Sequence, residues 1–359
     1  MSRASLDPDT PRTLAHVADP APAPDHSAFW KSWYTRLIAR APALRERLEP
    51  DPSDPGATHE YDSGDGVRIG AALIEPERGP ACAGLLIVHG AQAPRPLGAE
   101  AARWRRLASG GLLVLAIRLR GYPGSRTDPW GRALGWSADE TDWITRGLSG
   151  DDHEDWVLPG MAADVCDGVR ALAGELTRRG VGARVFIRGR SLGAGLGVIA
   201  AAQLNGRETG GPLVARLSVG CPSLGDVRWR LDHAPSGLMA PVRALMDQHP
   251  DRRAALVDRL RLCDAAVHAR RVGVPTLAML AARDGVVAPQ SAAALFNAIN
   301  ADPGRKWRVV VPVGHGEPSY ASKRSEARFR RIERDFLNPA RRPIDAMRRW
   351  EPGLAGDRG

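Results

Sequence analysis

The chain has 359 residues, 43% of them hydrophobic, with 50 Lys and Arg against 41 Asp and Glu for a formal net charge of +9. That is enough apolar material for a globular core, and α/β folds of this length often form one domain. No run of about 18 apolar residues occurs and the N-terminus lacks an apolar signal core, so a membrane span and export are not expected.

The arginines are scattered and form no stripe or DNA-reading motif, so no nucleic-acid partner is expected. Cys82, Cys166, Cys221 and Cys263 are widely spaced, without a Cys-x-x-Cys pair. They are expected to be buried free thiols in a reducing cytoplasm, with no zinc site.

In chain order, residues 1–27 are polar and Pro-rich and are expected to be a disordered or draped extension. Residues 28–48 have helical spacing. Residues 67–75 alternate and predict an antiparallel edge strand. Residues 83–88 are continuously apolar and predict a central parallel strand. Residues 112–117 predict another buried strand, closed by the loop signature Arg118–Gly124. Residues 122–160 predict a cap-like insertion whose Trp130, Trp136, Trp143 and Trp156 either line a pocket or pack a long loop. Helices are predicted over 161–179 and 241–262, and strands over 183–187, 213–220, 275–281 and 307–313. Residues 338–359 are Arg- and Pro-rich and predict a surface tail. The pattern between residues 28 and 337 is an α/β fold, a mostly parallel sheet with helices on both faces.

One stretch carries more information than the rest: Gly189-Arg190-Ser191-Leu192-Gly193. It lies between a β-branched and aromatic run (Val185-Phe186-Ile187) and a small, apolar one (Ala194 to Ala202). Strand, Gly-x-Ser-x-Gly and helix in that order describe a nucleophile elbow. The sharp turn needs glycines on either side of the serine, and the helix N-terminus below it favours negative charge. No Gly-x-Gly-x-x-Gly occurs, and no Lys-Ser/Thr follows as a phosphate loop would require.

Two later strands end in chemistry-bearing residues: 275–281 leads to Asp284, and 307–313 leads to His315. The order Ser191, Asp284, His315 is that of α/β-hydrolases. A serine hydroxyl needs a histidine to take its proton, and the histidine needs a carboxylate to hold its tautomer. Asp226, after the 213–220 strand, is the rival acid. His16, His26 and His59 lie early in the chain, and His153, His233, His249 and His268 lie in helical or loop stretches. The loop after the 83–88 strand runs His89-Gly90-Ala91. The backbone N–H groups of Ala91 and Leu192 are the expected oxyanion donors, and His89 is expected to be structural.

These residues resemble the acetyl xylan esterase / cephalosporin C deacetylase family of α/β-hydrolases over most of residues 28–336. The resemblance is carried by Phe29-Trp30, Asp65-Gly66-Val67-Arg68-Ile69, His89-Gly90, Arg120-Gly121, Asp164, Val169-Arg170, Gly189–Gly193, Asp284 and His315-Gly316. Trp143-Ile144-Thr145-Arg146-Gly147-Leu148 is its most specific piece. The resemblance implies the triad Ser191, Asp284 and His315 with Ala91 and Leu192 at the oxyanion hole. The chain departs from the family at Arg190 and Leu192, where Gly and Gln are usual, and at Ala91, where Tyr is usual. It departs again over Asp151–Trp156, which replaces a Tyr-rich stretch. Leu192 and Ala91 are expected to reshape the acyl pocket, so that chains longer than acetyl enter.

The expectation is a serine hydrolase that cleaves carboxylic esters of small molecules through an acyl-enzyme, with no metal or organic cofactor. An acyltransferase or thioesterase using the same triad, and a catalytically silent binding scaffold, are the alternatives. The oligomeric state, a homo-oligomer included, is open at this level.

Overall fold

The computed structural model describes residues 9–19, 21–92, 95–150, 152, 155–205 and 212–354. Among them nine strands form one sheet: β1 (Arg45–Glu46), β2 (His59–Asp62), β3 (Arg68–Ile74), β4 (Ala83–Val88), β5 (Leu112–Ile117), β6 (Val185–Arg190), β7 (Val214–Gly220), β8 (Thr276–Ala281) and β9 (Lys306–Val311). The helices are α1 (Thr10–Leu14), α2 (His26–Ile38), α3 (Leu97–Ala108), α4 (Val157–Arg178), α5 (Leu192–Asn205), α6 (Val227–His233) and α7 (Met239–Gln248). They continue with α8 (Arg253–Leu262), α9 (Ala265–Ala269), α10 (Pro289–Ala298), α11 (Tyr320–Phe336), α12 (Pro343–Arg348) and α13 (Glu351–Leu354).

The strand order is β1-β2-β3-β5-β4-β6-β7-β8-β9. β1, β2, β3 and β5 pair antiparallel, and every pair from β5 through β4 to β9 is parallel. Side chains on a strand alternate between faces. In β4, Leu86 and Val88 enter one core with α4 and α5, while Leu85 and Ile87 enter a second core with α3 and α11. Both faces are covered, which is why β4, β5 and β8 read as nearly unbroken apolar runs.

The elements differ from the sequence reading in four places. The helix expected to Leu48 ends at Ile38, because Pro42 disfavours helical geometry in the residue before it and blocks continuation. The segment read as an edge strand, β3, is interior, since β2 and β5 flank it. β1 and β2 are too short and too polar to announce themselves. The helix expected over 241–262 is broken by a tight turn at Pro250–Arg252 into α7 and α8.

The tail is only partly a surface feature. Met347 and Leu354 are buried in the second core and Ala346 is buried beside them in the chain, and residues 355–359 lie outside the described residues. Of the N-terminal extension, the first eight residues are likewise outside them. The described part lies against the body: Leu14, Ala18 and Ala23 are buried, and the Asn297 side-chain amide donates to the carbonyls of Leu14 and His16 at 2.9 Å each.

A buried ionic knot fastens the loop after β5 to α4. The Arg120 backbone N–H donates to Asp164 at 2.9 Å and its guanidinium at 2.7 Å, and the same guanidinium reaches Asp65 and Ser63. Asp164 is fully buried, and burial pushes its carboxyl above the ordinary range although Arg120 opposes this. Removing one member of such a pair strands the other charge and costs roughly 3–5 kcal/mol. Arg120→Met is therefore expected to lower stability by about that amount in urea unfolding. A loss under about 1 kcal/mol would show that the knot is dispensable.

Candidate active site

α5 begins two residues after β6 ends, and Ser191 is the residue between them. Its φ is +52°, a left-handed conformation that costs a non-glycine residue roughly 1–3 kcal/mol and persists only where neighbours impose it. The Ser191 N–H donates to the Gly220 carbonyl of β7 at 2.8 Å, and the Ser191 carbonyl accepts from Ser223 N–H at 3.0 Å. The glycines of the motif are there for close approach. A Cβ on Gly189 would stand 2.3 Å from the Gly193 carbonyl oxygen, and one on Gly193 would stand 2.4 Å from the His89 carbonyl oxygen.

The loop after β4 runs beside this turn. A Cβ on Gly90 would lie 3.2 Å from Ser191 Cβ, so Gly90-Ala91 passes next to the serine. His89 accepts the Leu119 N–H at Nε2, 3.1 Å away, and is therefore protonated at Nδ1, which donates to the Gly90 carbonyl at 2.7 Å. Burial and the nearby Arg118 push its pKa down to about 3. It is neutral, with both nitrogens engaged, and braces the loop. Tyr122 completes the brace, donating its hydroxyl to the Ala91 carbonyl at 2.8 Å.

β8 and β9 deliver the other two groups. His315 Nδ1 lies 2.7 Å from Asp284 Oδ2, so Nδ1 carries the proton and Nε2 is free to accept one. The other carboxylate oxygen of Asp284 accepts the N–H groups of Val286 and Val287 at 2.9 and 2.8 Å. Both oxygens are thus committed, and the acid is buried. Asp226 is engaged elsewhere: it caps α6 and lies 2.8 Å from His16 Nε2. Of the other histidines, His26 and His268 are buried with their rings 4.9 Å apart, and burial lowers them to about 4 and about 3. His153 lies outside the described residues.

Ser191 and His315 line one cavity of about 550 Å³, with Gly90 and Ala91 also on its wall. That falls within the range of small-molecule sites. Its apolar walls include Ile87, Trp104, Trp143, Leu238 and Val287. Of the four tryptophans in the expected cap, Trp143 is on the cavity wall. Trp156 is packed and donates to the Ile144 carbonyl at 2.9 Å, Trp136 stacks on Trp143, and Trp130 is 82% exposed. The Asp151–Trp156 departure falls partly outside the described residues. The Leu192 side chain is fully buried in the first core and not on the cavity wall. Its expected role in shaping the acyl pocket is corrected to its backbone alone, and as the first residue of α5 its N–H has no partner within the helix.

Sequence reasoning passed over the side of the cavity built by α3, α6 and the turn after α6. Trp104 of α3, Arg230 of α6 and Leu238 before α7 all face it. Amphipathic spacing marks such residues as helix faces but cannot say which cavity they meet.

Among the described residues, the His/Cys/Asp/Glu grouping that could draw a metal is Cys221, Asp284 and His315. The donors fit poorly. His315 and Asp284 are bonded to each other, and burial pushes the Cys221 thiol up to about 12, so it stays protonated.

The family model for acetyl xylan esterase (AXE1) matches residues 18–330. No curated protein sequence matches the chain. The fold is similar to acetyl xylan esterase 1 from Thermoanaerobacterium sp. JW/SL YS485, with a TM-score of 0.69 and 21% identity over 92% of this chain and 98% of that one. It is also similar to the acetyl xylan esterase from Paenibacillus sp. R4, with a TM-score of 0.68 and 22% identity over 89% and 98%.

Proposed function

The chain belongs to the acetyl xylan esterase family and is a serine-type carboxylic ester hydrolase, and from that premise we propose that Ser191, His315 and Asp284 are its triad, working through an acyl-enzyme. The observation that carries this reading is the 2.7 Å bond from His315 to a doubly anchored Asp284, with His315 sharing a cavity with a serine held at positive φ.

His315 Nε2 takes the Ser191 proton as Oγ attacks the ester carbonyl. Negative charge moves to the carbonyl oxygen, where the N–H groups of Leu192 and Ala91 stabilise it. Preorganised donors of this kind account for roughly 10²–10³ in rate each. The intermediate collapses, the bond to the alkoxy oxygen breaks, and His315 gives its proton to the leaving alcohol. Water then attacks the acyl-enzyme with His315 again as base. The acid departs and the proton returns to Ser191. The four thiols are free, three of them buried and Cys82 exposed where burial was expected, and free thiols support action in the reducing cytoplasm. Among the described residues no helix is long and apolar enough to cross a membrane.

The substrate is proposed to be a small O-acyl ester, with acyl groups beyond acetyl admitted because the cavity is large and Ala91 leaves room on its wall. The test combines a fluorophosphonate probe with p-nitrophenyl esters from acetate to octanoate. A single adduct is expected, on the peptide containing Ser191, with butyrate turned over. One methylene in an apolar pocket is worth roughly 1–3 kcal/mol of discrimination. An adduct elsewhere would overturn the site, and a steep restriction to acetate would overturn the proposed acyl range.

A further inference from the structure

The charge around the proposed nucleophile is one-sided. Among the described residues, five arginines line the cavity, Arg95, Arg103, Arg188, Arg190 and Arg230, against one carboxylate, Glu100. Three of the five are neutralised locally. Arg188 meets Glu333 at 3.1 Å, Arg190 meets Glu326 at 2.7 Å, and Arg103 meets Glu100 at 3.6 Å. Arg188 also lies over the Trp104 ring, 4.4 Å from its centroid.

Arg230 is different. It is 1% exposed and has no carboxylate in ion-pair contact among the described residues. Its guanidinium donates to Ser223 Oγ at 3.2 Å and to the carbonyls of Ser236 and Val286 at 2.7 and 2.5 Å. A guanidinium has five N–H donors, so these bonds leave Nε–H and one Nη1–H, and Nε is buried without an acceptor. Burial pulls its pKa down to about 10, with Asp284 opposing at longer range; the group is still a cation at neutral pH. A buried cation with open donors is costly to maintain. Here it sits on the wall of a cavity that also holds Ser191, His315 and the exposed Arg95. An oxyanion entering the cavity would give this cation the contact ion pair it lacks and an acceptor for an open donor.

We propose that this cavity selects esters that also carry an oxyanion, such as a carboxylate, with Arg230 holding that group and Arg95 adding to the field that draws it in. The proposal rests on the esterase reading above and names the substrate class within it. Guanidinium and carboxylate form charge-assisted bonds of the stronger kind. A competing role for Arg230 is structural, because its bond to the Val286 carbonyl ties down the loop that carries Asp284.

The experiment compares matched esters. On the acyl side, mono-p-nitrophenyl adipate is set against p-nitrophenyl hexanoate. On the alcohol side, 4-acetoxybenzoate is set against its methyl ester. Wild-type kcat/KM is expected to favour the anionic member of at least one pair by roughly 10- to 100-fold, the range of a hydrogen bond to a charged group. That preference should shrink with added salt. In Arg230→Met the ratio should collapse by at least about tenfold, and Arg230→Lys should keep part of it. A purely structural Arg230 would lower both members of each pair by the same factor and leave the ratio unmoved, which would overturn the proposal. Should Arg230→Met fail to fold, the wild-type ratios decide: equal rates in both pairs overturn it. Turnover of the neutral esters without anionic preference sinks the anion site and leaves the esterase standing. No turnover of any of the four, with no fluorophosphonate adduct on Ser191, sinks both.

Discussion

Ser191→Ala is expected to lower ester turnover by roughly 10⁴–10⁶, the range seen when a triad serine is lost, while the fold survives. Alanine keeps the Cβ that the elbow already accommodates, so the backbone bonds from Ser191 to Gly220 and Ser223 have no reason to break. It removes the oxygen that must attack the carbonyl. The measurement is single-turnover and steady-state hydrolysis of p-nitrophenyl butyrate, with circular dichroism to show an intact fold. Near-wild-type hydrolysis would remove Ser191 from the mechanism.

Asp284→Asn is expected to cost about 10⁴ in turnover, and the hydrogen bonds show why. One side-chain oxygen of Asp284 accepts two backbone N–H groups, from Val286 and Val287, and the other faces His315 Nδ1. An asparagine would keep its oxygen on the two backbone donors and turn its NH₂ toward His315. Nδ1 would then have to accept, the ring proton would move to Nε2, and the base would have nothing with which to take the Ser191 proton. Asp226→Asn serves as the control. Asp226 is bonded to His16 and caps α6, so the variant is expected to lose some stability and little activity. A reversal of the two effects, read as kcat/KM with thermal melts on both variants, would move the acid to Asp226.

How much of this was readable along the chain depends on how local each signal is. The elbow is a five-residue event. Gly189 and Gly193 are dictated by carbonyls lying 2.3–2.4 Å from where a Cβ would be, so the constraint is written into adjacent positions. β4, β5 and β8 were legible because burial on both faces leaves almost no polar residue to interrupt them. β1 and β2 were not, because a two-residue and a four-residue strand at the rim carry little burial of their own. The long helix expected over 241–262 is interrupted for a local reason, Pro250, which opens the tight turn between α7 and α8.

The sequence favoured Asp284 over Asp226 only through the order of groups along the chain and the family resemblance. Both follow a strand-like run, and both are acids at a loop start. What separates them is which histidine each one meets, and those partners are 31 and 210 residues away. The same limit explains Leu192. Its position fixes where its backbone N–H points, but only packing decided that its side chain turns into the core and away from the cavity.

The sequence by itself marked the parallel strands, the Gly-x-Ser-x-Gly turn between β6 and α5, and the resemblance to the family, because each is encoded by neighbours within a few residues or by the periodicity of one element. Only the tertiary structure decided which acid holds the histidine, and which walls close the cavity. It also decided that Arg230 of α6 stands as a buried cation on the wall of the cavity that Ser191 lines. Such facts depend on how separate elements pack against one another, and a side chain carries no local mark of the distant group it will face.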